Sequence, residues 1–303
     1  MWIVGVDENG LGPRLGPLVA TALTVEVDRY DASALDAAGA ALKLGDSKRT
    51  SGFGRMARAE ALTLALAEAT GAKVPGDADA LFEIVGLDRV ETLRARCPDD
   101  RTAQQCWTPL ALPAFGGELA HGRALLSALR EEGVHVRRVR SALACAGSLN
   151  AALAAGSSKL RVDLALFERL ILDAREASPE DVTALCGMVG GIRRYGDYFT
   201  RLPSAEVLAE VKGASRYRVP GIGHVSFEVK ADDRHLPVGL ASMVGKYIRE
   251  LSMARLVAFY RAQAPELPRA SGYHDKVTGR FVEGSRALRR RLAIAPACFE
   301  RRG

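Results

Sequence analysis

The chain has 303 residues, 48% of them hydrophobic and 26% charged, with a formal net charge of +6. That is enough apolar material for a substantial core, in one large domain or two modest ones, with a charge content ordinary for a globular protein. No apolar run approaches the roughly 20 residues needed to cross a bilayer and no basic stretch opens a leader, so a cytoplasmic chain without membrane attachment is expected.

The first predicted element is a strand over residues 2–7. It ends in two adjacent carboxylates, Asp7 and Glu8, and breaks into a loop, 9–17, with three glycines and two prolines. Neighbouring strand residues face opposite sides of a sheet, so at most one of the two carboxylates follows the pleat into the core. A bend there could turn both toward one cation, and carboxylates are the ligands that hard Mg²⁺ or Mn²⁺ ions prefer. The alternative is that the pair only caps the strand and begins a turn.

Further along, the pattern predicts a strand at 18–27, a helix at about 51–71, a helix at 119–133 and a strand near 134–140. Helical segments at 147–177, a strand at 181–186 and a short helix near 191–201 follow. Strands near 206–213 and 223–230, a long helix at 237–264 and a basic helix at 283–292 complete the order. Residues 72–118, rich in Gly, Asp and Pro around a helical patch, look like an insertion. Pro265 and Pro268 stop the long helix. Mixed strands and helices in this order suit an α/β fold, a mixed sheet flanked by helices. The division expected is a domain over 1–265 and a basic C-terminal helical extension over 266–303. In the long helix Leu240, Met243, Val244, Tyr247 and Leu251 recur at helical spacing and mark its buried stripe. Ser242, Lys246 and Arg249 or Glu250 lie on another stripe, where Lys246 either meets a phosphate or forms an exposed pair with Glu250.

Charge is concentrated at the end. Residues 280–303 hold seven arginines against Glu283 and Glu300, a net +5. Such a cluster suits a phosphate backbone or, equally, a solvated arginine-rich helix. The five cysteines, Cys97, Cys106, Cys145, Cys186 and Cys298, are widely spaced without a paired metal-ligand pattern. They read as reduced thiols, and zinc is not expected.

Several of these segments, in order, resemble the type 2 ribonucleases H. Residues 3–17 resemble that family's opening, Gly-[Ile/Val]-Asp-Glu-x-Gly-Arg-Gly-Pro-x-x-Gly-Pro. Gly45-Asp46-Ser47-Lys48-Arg49 is similar to its Asp-Ser-Lys-Lys segment, and Lys230-Ala231-Asp232 to its Lys-[Gly/Ala]-Asp. Ala241-Ser242-x-x-x-Lys246-x-x-Arg249-Glu250 is similar to its Ala-Ser-x-x-x-Lys-x-x-Arg-Asp helix, and Ser271-Gly272-Tyr273 to its Lys-Gly-Tyr. The resemblance implies a ribonuclease H-like fold and a Mg²⁺- or Mn²⁺-dependent endonuclease hydrolysing the RNA of RNA–DNA hybrids. Asp7, Glu8 and Asp232 would be its catalytic metal ligands. Asn9, Gly10, Leu11, Gly12, Lys48, Arg49, Ser242, Lys246 and Tyr273 would be its substrate-binding residues. Nucleic acid is the partner implied, and no protein partner is inferable.

Two departures qualify that expectation. Where related sequences carry a third acidic ligand, in Cys-Asp-x-x-Gly-Gly, this chain reads Cys186-Gly187-Met188-Val189-Gly190-Gly191. Gly187 has no side chain to ligate with, and Asp163 and Asp197 are unconvincing replacements. Leu11 stands where the family's loop arginine helps to read the 2′-hydroxyl, the group that tells RNA from DNA. The alternative reading is therefore a catalytically silent nucleic-acid-binding protein of the same fold.

Overall fold

The computed structural model describes residues 1–41, 55–71, 73–97, 104–202 and 204–302. Among the described residues seven strands, β1 (Trp2–Asn9), β2 (Leu18–Glu26), β3 (His135–Ala144), β4 (Val182–Gly187), β5 (Glu206–Val211), β6 (Ala214–Val219) and β7 (Gly223–Glu228), form one sheet. Their order is β3-β2-β1-β4-β7-β6-β5. β4 runs parallel to both β1 and β7, and the remaining neighbours are antiparallel. The carboxyl ends of β1, β4 and β7 therefore emerge together at one edge. This is the mixed sheet flanked by helices that the sequence predicts.

The helices are α1 (Ala32–Ala41), α2 (Ala57–Gly71), α3 (Ala78–Val85), α4 (Val90–Arg94), α5 (Leu119–Glu131), α6 (Ala146–Ala154), α7 (Lys159–Ala177) and α8 (Leu236–Arg261). The tail carries α9 (Lys276–Gly284), α10 (Arg286–Arg291) and α11 (Pro296–Phe299). Among the described residues no helix is long and apolar enough to cross a membrane. The pleat of β1 splits the core. Ile3 packs with Leu23, Val25 and α8 on one face, while Val4 and Val6 pack with Leu164, Phe167 and Leu170 of α7 on the other. The predicted stripe of α8, Leu240, Met243, Val244, Tyr247 and Leu251, is buried in the first of these clusters. Gly5 lets α8 come close: a Cβ there would lie 2.1 Å from the Pro237 carbonyl carbon. That approach lowers the first turns of α8 onto the end of β1.

Glu60 of α2, fully buried, fastens the segment after the cis Leu112–Pro113 bond. It accepts from the backbone N–H of Ala114 (2.6 Å), Phe115 (2.8 Å) and Gly117 (2.7 Å) and from the Tyr247 hydroxyl (3.0 Å). The C-terminal segment closes on the glycine-rich loop. Leu15 shares a core cluster with Met253, Tyr260, Phe281 and Phe299. Arg14 and Leu15 both donate their backbone N–H to the Gly272 carbonyl at 2.9 Å, and the Arg301 N–H donates to the Arg14 carbonyl.

The structure corrects several expected elements. The segment 206–213 is the start of a hairpin: β5 stops at Val211, turns through Lys212 and Gly213 (φ +89°), and returns as β6. The predicted helix near 191–201 is a short 3-10 turn, Tyr195–Tyr198. The basic helix at 283–292 is two helices that meet at Ser285, with Gly284 seated against Leu267. α1 has no counterpart in the sequence reading.

Candidate active site

β1 ends where the sheet opens, and its last residues divide between the two faces. Asp7, on the α8 side, hydrogen-bonds the Ser242 side chain. Glu8, on the α7 side, lies within electrostatic reach of Asp163. Asn9 turns back to α8 and donates to the Ser242 carbonyl at 3.4 Å. Asp232 arrives from a 3-10 turn, Ala231–Asp233, just past β7. The residue before that turn, Lys230, holds φ at +54°, left-handed backbone that a lysine adopts only at a cost of order 1–3 kcal/mol. Such strain concentrates where a turn must aim a functional group.

An open cleft of about 400 Å³ is lined by Asp7, Glu8, Asn9, Gly187, Met188, Gly191, Lys230, Asp232, Ser242 and Lys246, among others. Thus the three carboxylates singled out in the sequence share one cavity with the lysine and serine of α8. Burial raises Asp7 from 3.8 to about 7, with the Asp232 charge adding to it and the Ser242 bond opposing it. Burial also raises Glu8 from 4.5 to about 8, with Asp7 and Asp232 adding to it. A cluster of this kind disfavours its own ionisation and gains most from a cation.

Gly187 stands at the cleft, where Asp7 already takes the space that a side chain would need. Cys186 sits level with Val6 across the parallel strands, so Gly187 lies beside Asp7, and a Cβ there would meet Asp7 Oδ1 at 2.4 Å. Asp163, Asp197 and Asp233 do not line the cleft. Asp197 belongs to a separate pocket with Arg193 and Arg194. Asp163 is completely buried in α7, and neither of its carboxylate oxygens has a hydrogen-bond partner. Burial holds its carboxyl well above the usual range, with Glu8 and Asp7 pushing the same way and Arg301 opposing. Its place behind Glu8 is not evident from the sequence.

The remaining expected substrate residues divide. Gly10 takes φ +95° and passes within about van der Waals contact of Arg249, while Gly12 is exposed with open space around its α-carbon. The Leu11 side chain packs against the α7-side core. The carbonyls of Gly10 and Leu11 both accept from the guanidinium of Arg301, which comes from the far end of the chain. A guanidinium therefore does reach this loop, by a route no local motif reveals. Tyr273 is 48% exposed and lies over the Arg249 guanidinium at 4.4 Å. Arg249 itself is buried and paired with Glu250 at 2.6 Å, so the α8 stripe read as phosphate-facing is narrower than expected. Lys48 and Arg49, with the rest of 45–49, lie outside the described residues. His235, the N-terminal cap of α8, is held between the Tyr30 hydroxyl (2.7 Å) and Glu228 (3.4 Å) behind the cleft.

No sequence family matches the chain, and no curated protein matches it either. Similar solved structures are ribonucleases H of types 2 and 3. One is the ribonuclease HII of Archaeoglobus fulgidus in complex with PCNA, 16% identical, covering 99% of this chain and 93% of its own, with a TM-score of 0.49. Ribonuclease H2 from Pyrococcus horikoshii OT3 is also 16% identical, covering 99% and 92%, with a TM-score of 0.48. Bst-RNase HIII in complex with Mn²⁺ is 15% identical, covering 95% and 71%, with a TM-score of 0.43. All three fall below a TM-score of 0.5, so the chemistry of this chain has to rest on its own residues.

That chemistry is a donor set made of oxygen, which suits a hard divalent ion. Among the described residues no three acidic, histidine or cysteine groups are placed so as to hold one metal ion. The fit is that of an open site: Mg²⁺ commonly keeps several waters and binds through one or two carboxylates together with a substrate phosphate. One or two of Asp7, Glu8 and Asp232 could supply that much. Gly187→Asp would add a fourth carboxylate and is expected to tighten Mn²⁺ binding at least about tenfold by calorimetry. The same substitution should lower the metal-free melting temperature, because the new side chain crowds Asp7. Gly187→Ala separates the two effects: it should reproduce the crowding without the tighter binding.

Proposed function

We propose that this protein is a divalent-cation-dependent endonuclease acting on the RNA strand of RNA–DNA hybrids. The observation that carries this reading is the gathering of Asp7, Glu8, Asp232, Ser242 and Lys246 around one cleft at the carboxyl ends of β1, β4 and β7. A cation bound there would polarise the phosphate and lower the pKa of a coordinated water. Asp7, Glu8 and Asp232 would hold it. The Ser242 hydroxyl orients Asp7. Lys246 brings a positive charge to the wall of the cleft, where it would meet a substrate phosphate. Arg301, bound to the carbonyls of Gly10 and Leu11, fixes the shape of the loop that lies against the strand being read. Tyr273, stacked on Arg249 beside Gly10, would offer an exposed ring to a sugar or base.

A second reading, a silent binder, is favoured by one observation, the absence of a side chain at Gly187 beside Asp7. The two readings separate on cleavage and agree on binding.

The basic tail supports both, through fewer residues than its composition suggests. Arg289 stacks at 4.0 Å over Phe299 and donates to the Val282 carbonyl, and Arg301 is buried under the loop, so these two hold the fold. Arg290, Arg291 and Arg302 are exposed. Replacing those three with Ala should weaken hybrid binding alike for all sequences and flatten its salt dependence. Every phosphate that the variant no longer neutralises takes roughly 0.7–0.9 off the logarithmic slope. A salt titration of binding checks this, and an unchanged slope would return the tail to a solvated face.

A further inference from the structure

Four of the five cysteines, unrelated in sequence spacing, come together in space. Cys97 follows α4, Cys106 lies in a 3-10 turn (Gln105–Trp107), Cys145 caps α6 and Cys298 lies in α11. All four line one cavity of about 100 Å³, walled otherwise by apolar groups such as Phe82, Trp107, Leu143, Leu256 and Phe299. Each thiol is within electrostatic reach of the other three. The fifth, Cys186, is in the sheet core.

We propose that this cavity is an iron–sulfur cluster site, with Cys97, Cys106, Cys145 and Cys298 as its four thiolate ligands. The site lies apart from the carboxylate cleft and does not depend on the nuclease reading. A single zinc ion would need sulfurs about 3.8 Å apart, as tetrahedral Zn–S bonds of about 2.3 Å require. No three of these cysteines are arranged to hold one ion. A cluster places its own iron and sulfide between the thiolates, so it takes sulfurs set further back around a void. Arginines lie close by, each with a carboxylate partner: Arg96 on the wall pairs with Asp88, while Arg94, which acts on Cys97, and the buried Arg255, which acts on Cys106, both pair with Asp79. Nor is the tetrad a set of activated nucleophiles: burial pushes the Cys106 thiol up to about 12 and raises Cys97 and Cys298 as well. Cys145 is an unusual helix cap, a position where Ser, Thr, Asp and Asn are preferred, so capping alone does not account for it. On loading, each thiol gives its proton to solvent as its sulfur bonds iron, with iron and inorganic sulfide supplied from outside.

The test is to purify the full chain without oxygen, reconstitute it with ferrous and ferric iron and sodium sulfide, and measure bound iron, acid-labile sulfide and zinc. About four iron and four sulfide per chain are expected, the complement of a [4Fe–4S] centre, with visible absorption that bleaches on dithionite. Cys145→Ser keeps a capping oxygen, so the iron-free variant should melt as the wild type does while losing most of the iron, at least fivefold. Cys298→Ser, with its side chain at the cavity wall, should lose it equally, and Cys186→Ala should keep it. Stoichiometric zinc without iron would overturn the proposal. So would a chain that takes up no cluster, or iron retained in both serine variants.

Discussion

Asp7→Asn is expected to reduce cation-dependent cleavage of an RNA–DNA hybrid by about a thousandfold or more and to make the metal-free protein more stable at about pH 8. The first half follows from the Lewis-acid contribution of a bound ion, worth several kcal/mol, at about 1.36 kcal/mol for each factor of ten. The second follows from linkage. Asp7 is raised from 3.8 to about 7 and Glu8 from 4.5 to about 8, so the folded state holds their protons more tightly than the unfolded state does. Their contribution to stability is fully present below about pH 4 and is lost as the pH rises toward 7 and 8. The metal-free wild type should therefore melt progressively lower over that window, whereas Asp7→Asn, which has no proton to lose, should fall less. Adding Mn²⁺ at about pH 8 should raise the melting temperature of the wild type and have little effect on the variant. Melting curves from pH 4 to 8, with and without Mn²⁺, check all of this. A flat wild-type profile would show that the two carboxylates are not held as the structure has them.

Glu60→Ala should be the most damaging single substitution away from the cleft. Its carboxylate satisfies three backbone donors, of Ala114, Phe115 and Gly117, and the buried Tyr247 hydroxyl. Removing it strands these groups, at roughly 1–3 kcal/mol for each donor left buried and unpaired. A loss of at least about 3 kcal/mol in urea unfolding is expected. Glu60→Gln should lose less, because it keeps one acceptor oxygen while turning an amide toward the donors. Because Tyr247 belongs to α8, which carries Ser242 and Lys246, Glu60→Ala should also weaken hybrid binding. An effect on stability below about 1 kcal/mol would mean that water replaces the carboxylate.

What can be read from the sequence is local. The end of β1, the Lys230-Ala231-Asp232 turn and the buried stripe of α8 each show in a few consecutive residues, and the sheet brings them together as the order of motifs implies. Gly187 is legible because its neighbours fit on both sides. What escapes depends on contacts between distant segments. Arg301 reaches Gly10 across 291 residues, Asn150 holds the carbonyls of Ala297 and Glu300, and Glu60 meets residues more than 50 positions away. No helical or strand period encodes such pairings. Asp163 is hidden because an acid early in a helix ordinarily serves the helix dipole; only its complete burial behind Glu8 shows otherwise. The β5–β6 turn escapes the sequence reading although Lys212-Gly213 carries the glycine that a two-residue hairpin uses.

Whether the Asp7–Glu8–Asp232 cleft cuts RNA in a hybrid with a divalent cation decides between nuclease and silent binder. A single-turnover assay answers this, with a hybrid labelled on its RNA strand and excess protein, in Mg²⁺, in Mn²⁺ and in chelator. Cleavage of the RNA strand is expected in at least one metal, with none in chelator and none in Asp232→Asn under any condition. Retained binding without cleavage in either metal would overturn the nuclease reading and leave the protein a silent binder.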